Sequence, residues 1–171
     1  MAWYIALIAA TGAERIVELV ISARNARRAL ARGGREHGAR HFPWMVALHS
    51  ALLLACLAEA IAAGRPFIPV LGWSMLGLVV ASQALRYWCI AVLGEQWNTR
   101  VIVVPGRGLV SRGPYRWLRH PNYLAVAVEG FALPLVHTAW ITAIAFTVLN
   151  AVLLLAFRIP VEERALRLAA S

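Results

Sequence analysis

Residues 43–63 read PWMVALHSALLLACLAEAIAA, an apolar run whose one charged residue is Glu59. About 20 helical residues cross the hydrocarbon core of a bilayer, so this stretch predicts a membrane-spanning helix. Across the chain, 61% of the 171 residues are hydrophobic, whereas a soluble domain has about 45–50%. Because the excess lies in long runs of this kind, the sequence predicts an integral membrane protein.

Five membrane segments can be read from these runs. They are Trp3–Ala23, Pro43–Ala63, Phe67–Leu93, and two limbs of a helical hairpin within Asn122–Ile159. Pro134 predicts the bend of the hairpin near Leu133–Thr138, because proline interrupts a helix. The expected fold class is an all-α integral membrane protein of one domain (1–171), with three N-terminal spans (1–93) and a C-terminal half (94–171) that holds a cytoplasmic loop, the hairpin and a short final helix.

The distribution of arginine predicts the orientation. All seventeen basic residues are Arg, and fourteen of them fall in segments 24–42 and 94–120 and in the tail from residue 158. Basic loops stay on the cytoplasmic side, so we expect the N-terminus outside and the C-terminus inside. Nucleic-acid binding is not expected, since it needs a solvated basic face. The two cysteines and the histidines lack metal-ligand spacing, so no metal is expected.

Six ionisable residues fall within the predicted spans, where each is costly. The first interpretation is a set of buried ion pairs that fix helix packing. The second is a polar cavity that admits the headgroup of a ligand, for which Glu59, Arg86 and Glu129 are the candidates. The remaining three, Glu14, Arg15 and Glu18, share one face of the first helix. His49 alone is more typical of a hydrogen-bonded core histidine.

The stretch from Val101 to Glu129 carries the clearest pattern for chemistry. Pro121 suits the first turn of a helix, and His120 before it is displaced from helical geometry. His120 should therefore lie at a helix N-terminus, where an anion is favoured, and Arg119 adds charge and donors. Tyr115 and Tyr123 supply aromatic faces. The alternative is that this arginine- and aromatic-rich segment only anchors the chain at the headgroup interface.

The C-terminal stretch pairs Arg158 with Glu162 and Glu163. Pro160 could open a short amphipathic helix in which the two glutamates complement the helix dipole. Alternatively, an arginine–glutamate pair near an anion site could orient an acidic substrate group and remove its proton.

Two motifs resemble a known family. G-P-Y-R-W-L-R-H-P-N-Y at 113–123 and R-I-P-V-E-E-R-A-L at 158–166 resemble the isoprenylcysteine carboxyl methyltransferase family of membrane enzymes. The stretches R-I-V-E-L-V-I-S-A-R-N (15–25) and P-W-M-V-A-L-H (43–49) are similar to its bacterial branch. The resemblance implies methyl transfer from S-adenosylmethionine and a bacterial inner-membrane location.

The resemblance also implies roles for individual residues. Arg158 and Glu162 match the family's catalytic arginine–glutamate pair beside the transferred methyl group. The residues expected to form or support the cofactor pocket are Tyr115, Arg119, His120, Pro121, Tyr123 and Glu163.

The expected acceptor is a lipophilic small molecule from the bilayer. The resemblance implies a phenolic or pyrone lipid with a long alkyl chain, or a prenylcysteine-like compound, methylated on oxygen. Two rival functions stay open. Membrane sterol reductases carry a similar R-H-P-N-Y motif, which suggests a nicotinamide-dependent reductase. The charges within the spans suggest a non-catalytic membrane subunit or a small transporter.

Overall fold

The computed structural model describes residues 1–170, with side chains through residue 168. The chain is mostly helical, as predicted, but two short strands were not expected. The elements in chain order are α1 (Ala2–Ala31), β1 (Arg35–His37), α2 (Phe42–Ala62), α3 (Pro69–Leu93), β2 (Val101–Val103), α4 (Pro121–Leu135), α5 (Trp140–Val152), a π-helical turn (Leu153–Arg158) and α6 (Ile159–Ala170).

Three helices are long and apolar enough to cross a membrane, which supports the prediction of a membrane protein. They are Ala39–Ala62, Pro69–Gln96 and Trp140–Leu168. Helix α1 contains charged residues within its apolar part, and α4 has only 15 residues. The count of five spans and their orientation therefore stay predictions.

The Arg-rich segments meet at one end of the helices. Helix α1 runs past its expected end at Ala23, and Asn25 donates to the backbone carbonyls of Gly94 and Trp97 after α3. Strand β1 pairs antiparallel with β2, with Glu36 opposite Ile102. Helix α6 contacts both strands. The segment between α1 and α2, the loop after α3 and the C-terminal helix thus form one charged surface.

The hairpin turns at the opposite end, as Pro134 predicted. Helix α4 ends at Leu135, and Thr138 adopts a left-handed conformation just before α5 begins. The Thr138 hydroxyl donates to the carbonyl of Pro66 at 2.8 Å, so this turn is tied to the connection between α2 and α3.

The last helix does not stop where the sequence suggested. Pro160 was expected to open a separate helix, but α5, the π-helical turn and α6 are continuous. Proline inside a helix removes one N–H and its ring crowds the carbonyl four residues earlier. The widened turn directly before Pro160 accommodates that ring, and π-helical turns of this kind are common at functional sites. Its final residue is Arg158.

The apolar core lies toward the hairpin turn. Its buried members come from five helices: Tyr4, Ile8, Leu52, Cys56, Ala60, Val79, Ala132, Leu133, Val136 and Phe146. Tyr4 also donates to the carbonyl of Leu133 at 3.2 Å. This core occupies the hairpin end of the helix bundle, and the site lies nearer the opposite end.

Close packing of α4 on α5 depends on Gly130. A Cβ at this position would overlap the ring of Phe146. We expect Gly130→Ala to lower the free energy of unfolding by about 1–3 kcal/mol, the usual result of overpacking. Reversible unfolding in mixed detergent micelles measures this. Gly77→Ala in α3 is the matched control, since its Cβ meets nothing within 4 Å. Equal stability of the two variants would contradict the prediction.

Candidate active site

A cavity of about 680 Å³ connects the Arg-rich end with the interior of the helix bundle. Its volume falls in the usual range of 300–1,000 Å³ for ligand sites. The polar residues around it come from distant parts of the chain: Arg15, Glu18, His49, Ser50, Arg86, Asn98, Thr99, Tyr115, Arg119, His120, Asn122, Tyr123, Asn150, Arg158 and Glu162. Most of the residues predicted for the site therefore share one cavity.

The start of α4 presents His120 to this cavity. His120 has φ −130° and ψ 59°, outside the helical region, and Pro121 occupies the first turn, as the sequence predicted. The rings of His120 and Tyr123 stack with centroids 5.4 Å apart. Nδ1 and Nε2 of His120 each lie 3.6 Å from a carboxylate, of Glu162 and of Glu163. Helix α6 thus places both glutamates against the N-terminus of α4.

Arg158, Tyr123 and Glu162 form a chain of hydrogen bonds at the cavity wall. Arg158 is buried, and its Nε donates to the hydroxyl oxygen of Tyr123 at 2.9 Å. The Tyr123 hydroxyl donates in turn to Glu162. Nη1 of Arg158 forms no hydrogen bond with any residue that the structure describes. The two hydrogen bonds of Arg158 thus involve only its Nε and Nη2.

A second layer of residues fixes the orientation of Arg158. Its Nη2 donates to the backbone carbonyl of Thr99 at 2.6 Å. The hydroxyl of the buried Ser22 in α1 accepts from the backbone N–H of Thr99 at 3.0 Å and donates to the amide oxygen of Asn98 at 2.8 Å. Helix α1 therefore positions the loop that contains Asn98 and Thr99, and this loop in turn positions Arg158.

The other predicted cofactor residues are distributed around the mouth of the cavity. Tyr115 and Arg119 line it, and Arg119 is exposed. Pro121 and Glu163 do not line it. Pro121 is buried in the first turn of α4, and Glu163 contacts the ring of His120.

A buried ion-pair network forms one wall of the cavity. Arg86 donates to both carboxylate oxygens of Glu18 at 2.6 and 2.8 Å, and Arg15 contacts Glu18 at 3.0 Å and Glu129 at 3.3 Å. Arg86 also lies 3.5 Å from Glu129. These charges thus form buried ion pairs between helices, as the packing interpretation expects. Arg15, Glu18 and Arg86 line the cavity as well, whereas Glu129 lies behind them.

Glu59 does not reach the cavity. It accepts hydrogen bonds from the backbone N–H groups of Ile141 and Thr142 at the start of α5, and it pairs with Arg65 at 2.8 Å. Unpaired N–H groups at a helix N-terminus favour a carboxylate. The structure therefore places Glu59 in a capping position at the hairpin end, apart from the other candidates.

Several residues around the cavity were missed by sequence reasoning. Asn98 and Thr99 were not singled out, because nothing local connects them with Arg158. Asn150 was also missed, although it lies eight residues before Arg158 and hence on the same face of the helix. An isolated amide at that spacing in an apolar span is the signal that could have found it.

The His120 contacts predict a pH dependence of stability. The Glu162 carboxylate beside the ring, aided by Glu163, raises the pKa of His120 above its ordinary value, against the opposing effect of burial. The folded protein then binds this proton more tightly than the unfolded chain. The stabilisation is complete below the unfolded pKa and is lost as pH rises through the folded one. We expect the temperature midpoint of unfolding to fall as the pH rises above about 6.5, the ordinary pKa of histidine.

The matched variants for this measurement are His120→Asn and His41→Asn. His120→Asn should remove this component of the pH dependence. His41 forms no ion pair with any carboxylate in the described part of the chain, so its variant should retain the wild-type profile. A pH profile that is unchanged in His120→Asn would contradict the assignment.

Comparison with known proteins identifies a family for the chain. The isoprenylcysteine carboxyl methyltransferase (ICMT) family profile matches residues 75–168. An uncharacterized Bacillus subtilis protein, YpbQ, is 36% identical over 94% of this chain and 95% of its own length. An uncharacterized Haemophilus influenzae protein is 29% identical over 89% of this chain and 88% of its own. No solved structure matches.

The fold and site thus define a membrane-helix protein of a methyltransferase family. The chain belongs to the isoprenylcysteine carboxyl methyltransferase family, whose members use S-adenosylmethionine as methyl donor.

Proposed function

We propose that this protein transfers a methyl group from S-adenosylmethionine to an oxygen atom of a lipophilic acceptor that enters from the bilayer. The observation that carries the proposal is the convergence of Arg158, Tyr123, Glu162 and His120 on one cavity, in a chain of a methyltransferase family. Neither a nicotinamide-dependent reductase nor a non-catalytic subunit receives support from the comparisons.

The mouth of the cavity suits a methyl donor of this kind chemically. S-adenosylmethionine supplies an electrophilic methyl group on a positively charged sulfur atom. Arg119 and His120 offer positive charge and donors for its carboxylate, at the N-terminus of α4. Oδ1 of Asn122 is buried without a hydrogen-bond partner in the described structure, so a polar group of a ligand would satisfy it. Tyr115 provides an aromatic face.

Arg158 and Glu162 are the residues proposed to act on the acceptor. The free Nη1 of Arg158 would hold the acceptor oxygen in line for transfer, since positioning supplies much of the rate in such reactions. A carboxylate acceptor has no proton to lose. A phenol or enol does, and the Glu162 carboxylate would take that proton as the oxygen–methyl bond forms.

The part of the cavity between α1 and α2 supports a lipophilic acceptor. It is lined there by apolar residues that include Ile16, Leu19, Leu53 and Leu54, and Ile16 and Leu54 are also exposed on the outer surface of the helices. A lipid tail could lie between these helices with its polar head below Arg158. The bacterial branch that this chain resembles favours a phenolic or pyrone lipid with a long alkyl chain. A prenylcysteine-like compound is the other acceptor with these properties.

Binding of the donor is the first experiment. Calorimetry on the detergent-purified protein should show S-adenosylmethionine binding in the micromolar range, and NADPH should give no heat of binding. His120→Ala should weaken the affinity about tenfold or more, which corresponds to one lost charge-assisted contact. His41→Ala is the matched control, because His41 belongs to the same end of the molecule but does not line the cavity.

Transfer is measured next, with methyl-labelled donor and purified protein in vesicles that contain a phenolic lipid. Label should appear in the lipid fraction as a methyl ether. Binding of NADPH in place of S-adenosylmethionine, or of neither, would overturn the proposed function.

A further inference from the structure

His49 has one ring nitrogen committed and the other free. Its Nδ1 lies 2.8 Å from the backbone carbonyl of Met45, one turn earlier in α2. A carbonyl only accepts hydrogen bonds, so Nδ1 carries the proton, and Nε2 of the neutral ring has a lone pair. Nε2 forms no hydrogen bond with any residue of the described chain. Because His49 lines the cavity, this lone pair is an acceptor available to a ligand.

Asn150 is a second unpaired polar group on the same cavity wall. It is only 2% exposed, yet its Oδ1 forms no hydrogen bond within the part of the chain that the structure describes. A buried amide without a partner is costly, so most are satisfied. Asn150 also lines the cavity, and a ligand there could therefore supply its partner.

Phe146 connects the positions of the two residues. Phe146 packs edge-on against the ring of His49, with centroids 5.4 Å apart, and Asn150 lies one turn further along α5. Asn150 precedes Arg158 by roughly 12 Å of helix axis. The His49–Asn150 pair thus lies deeper in the bundle than the Arg158–Tyr123–Glu162 chain.

We propose that His49 and Asn150 form a second polar subsite, which binds a hydroxyl group on the head of the acceptor lipid. His49 accepts the hydroxyl hydrogen, and Asn150 pairs with the same head. The inference rests on the proposed function, since it assumes an acceptor in this cavity. It adds that the acceptor must carry a hydrogen-bond donor in its head, and it makes His49 the residue that selects it.

The chemistry at His49 separates classes of acceptor. A neutral imidazole with its proton on Nδ1 offers only a lone pair to the cavity. A phenol or enol can donate to it, whereas an ether or an ionised carboxylate presents acceptors alone. An ether or an ionised carboxylate would leave the Nε2 lone pair of His49 unpaired or facing a second lone pair. The subsite therefore favours heads that carry a hydroxyl group.

The test compares two probes with the same ring and alkyl chain, a long-chain alkylresorcinol and its dimethyl ether, in which methyl groups replace the two hydroxyl hydrogens. Their binding to the protein in micelles is measured by calorimetry. We expect the wild type to bind the resorcinol about tenfold or more tightly than the ether. In His49→Phe, which keeps a ring against Phe146, the ratio should fall below about threefold. His49→Gln retains an acceptor oxygen and should restore part of the preference.

Variants of Asn150 and Thr147 test the second residue of the subsite, and the absence of S-adenosylmethionine separates this test from that of the proposed function. Asn150→Leu should weaken resorcinol binding, whereas Thr147→Val, on the same helix, should not, because the Thr147 hydroxyl bonds to its own helix at 2.7 Å. Equal binding of both probes to the wild type, no binding of either, or an unchanged ratio in His49→Phe would each overturn the subsite. Since S-adenosylmethionine is absent from this assay, failure of donor binding would count against the proposed function alone.

Discussion

Replacing Arg158 with leucine is expected to lower methyl transfer to the phenolic lipid by about 100-fold or more, comparable to loss of one preorganised donor at a reacting oxygen. Arg158 is 4% exposed, and two of its nitrogens are held by Tyr123 and the Thr99 carbonyl. In the proposed mechanism, those two bonds leave the remaining nitrogen for the acceptor oxygen. The measurement is kcat/KM with labelled donor, beside calorimetric affinity for S-adenosylmethionine.

Lysine at this position should not restore the rate. It keeps the charge, but it cannot donate to Tyr123 and Thr99 while also contacting the acceptor, since only a planar fork has that geometry. We expect Arg158→Lys to remain at least about tenfold slow with donor affinity nearly unchanged, which would separate lost positioning from lost folding. Arg164→Leu, exposed on the next turn, should stay within about twofold. Normal turnover in Arg158→Leu would remove this residue from the mechanism.

Removal of the Arg86 guanidinium should have the largest effect on stability. Arg86 is 6% exposed and forms ion pairs with two carboxylates, of Glu18 and Glu129, that are equally buried. Arg86→Met leaves excess negative charge within the helix bundle. We expect the free energy of unfolding to fall by about 3–5 kcal/mol, the usual result of removing one partner of a buried pair.

A double variant tests this electrostatic cause. Arg86→Met combined with Glu18→Gln removes one charge of each sign and should recover part of the loss, because an unpaired buried charge costs more than a missing pair. Arg32→Met is the exposed control. Its pair with Glu95 is short, at 2.7 Å, but about half of the Arg32 side chain is exposed, so the loss should stay below about 1 kcal/mol. A double variant less stable than Arg86→Met would contradict the electrostatic explanation.

The parts of the site that follow from local rules were predictable. Pro121 fits the first turn of a helix and displaces His120 from helical geometry, because both effects arise from the proline ring itself. The bend at Pro134 has the same origin. The motif around His120 and the Arg158–Glu162 pair were also predictable, because each is a short pattern within one stretch of the chain.

Long-range contacts were not predictable in this way. Glu59 was a candidate for the cavity, yet it caps α5 more than eighty residues away. A carboxylate in an apolar span must find a partner, but the sequence does not say which of several partners is close. Strand β2 was visible only as a β-branched run, since its partner β1 lies in another loop.

By itself, the sequence determined that this chain has long apolar helices, that its arginines collect in three segments, and that the motifs around His120 and Arg158 resemble those of its family. These features depend on composition and on neighbours along the chain. Only the tertiary structure decided that Thr99 holds Arg158, that Arg86 pairs with Glu18, and that His49 and Asn150 share a cavity wall. Each of these depends on how helices distant in sequence pack together, which no local pattern specifies.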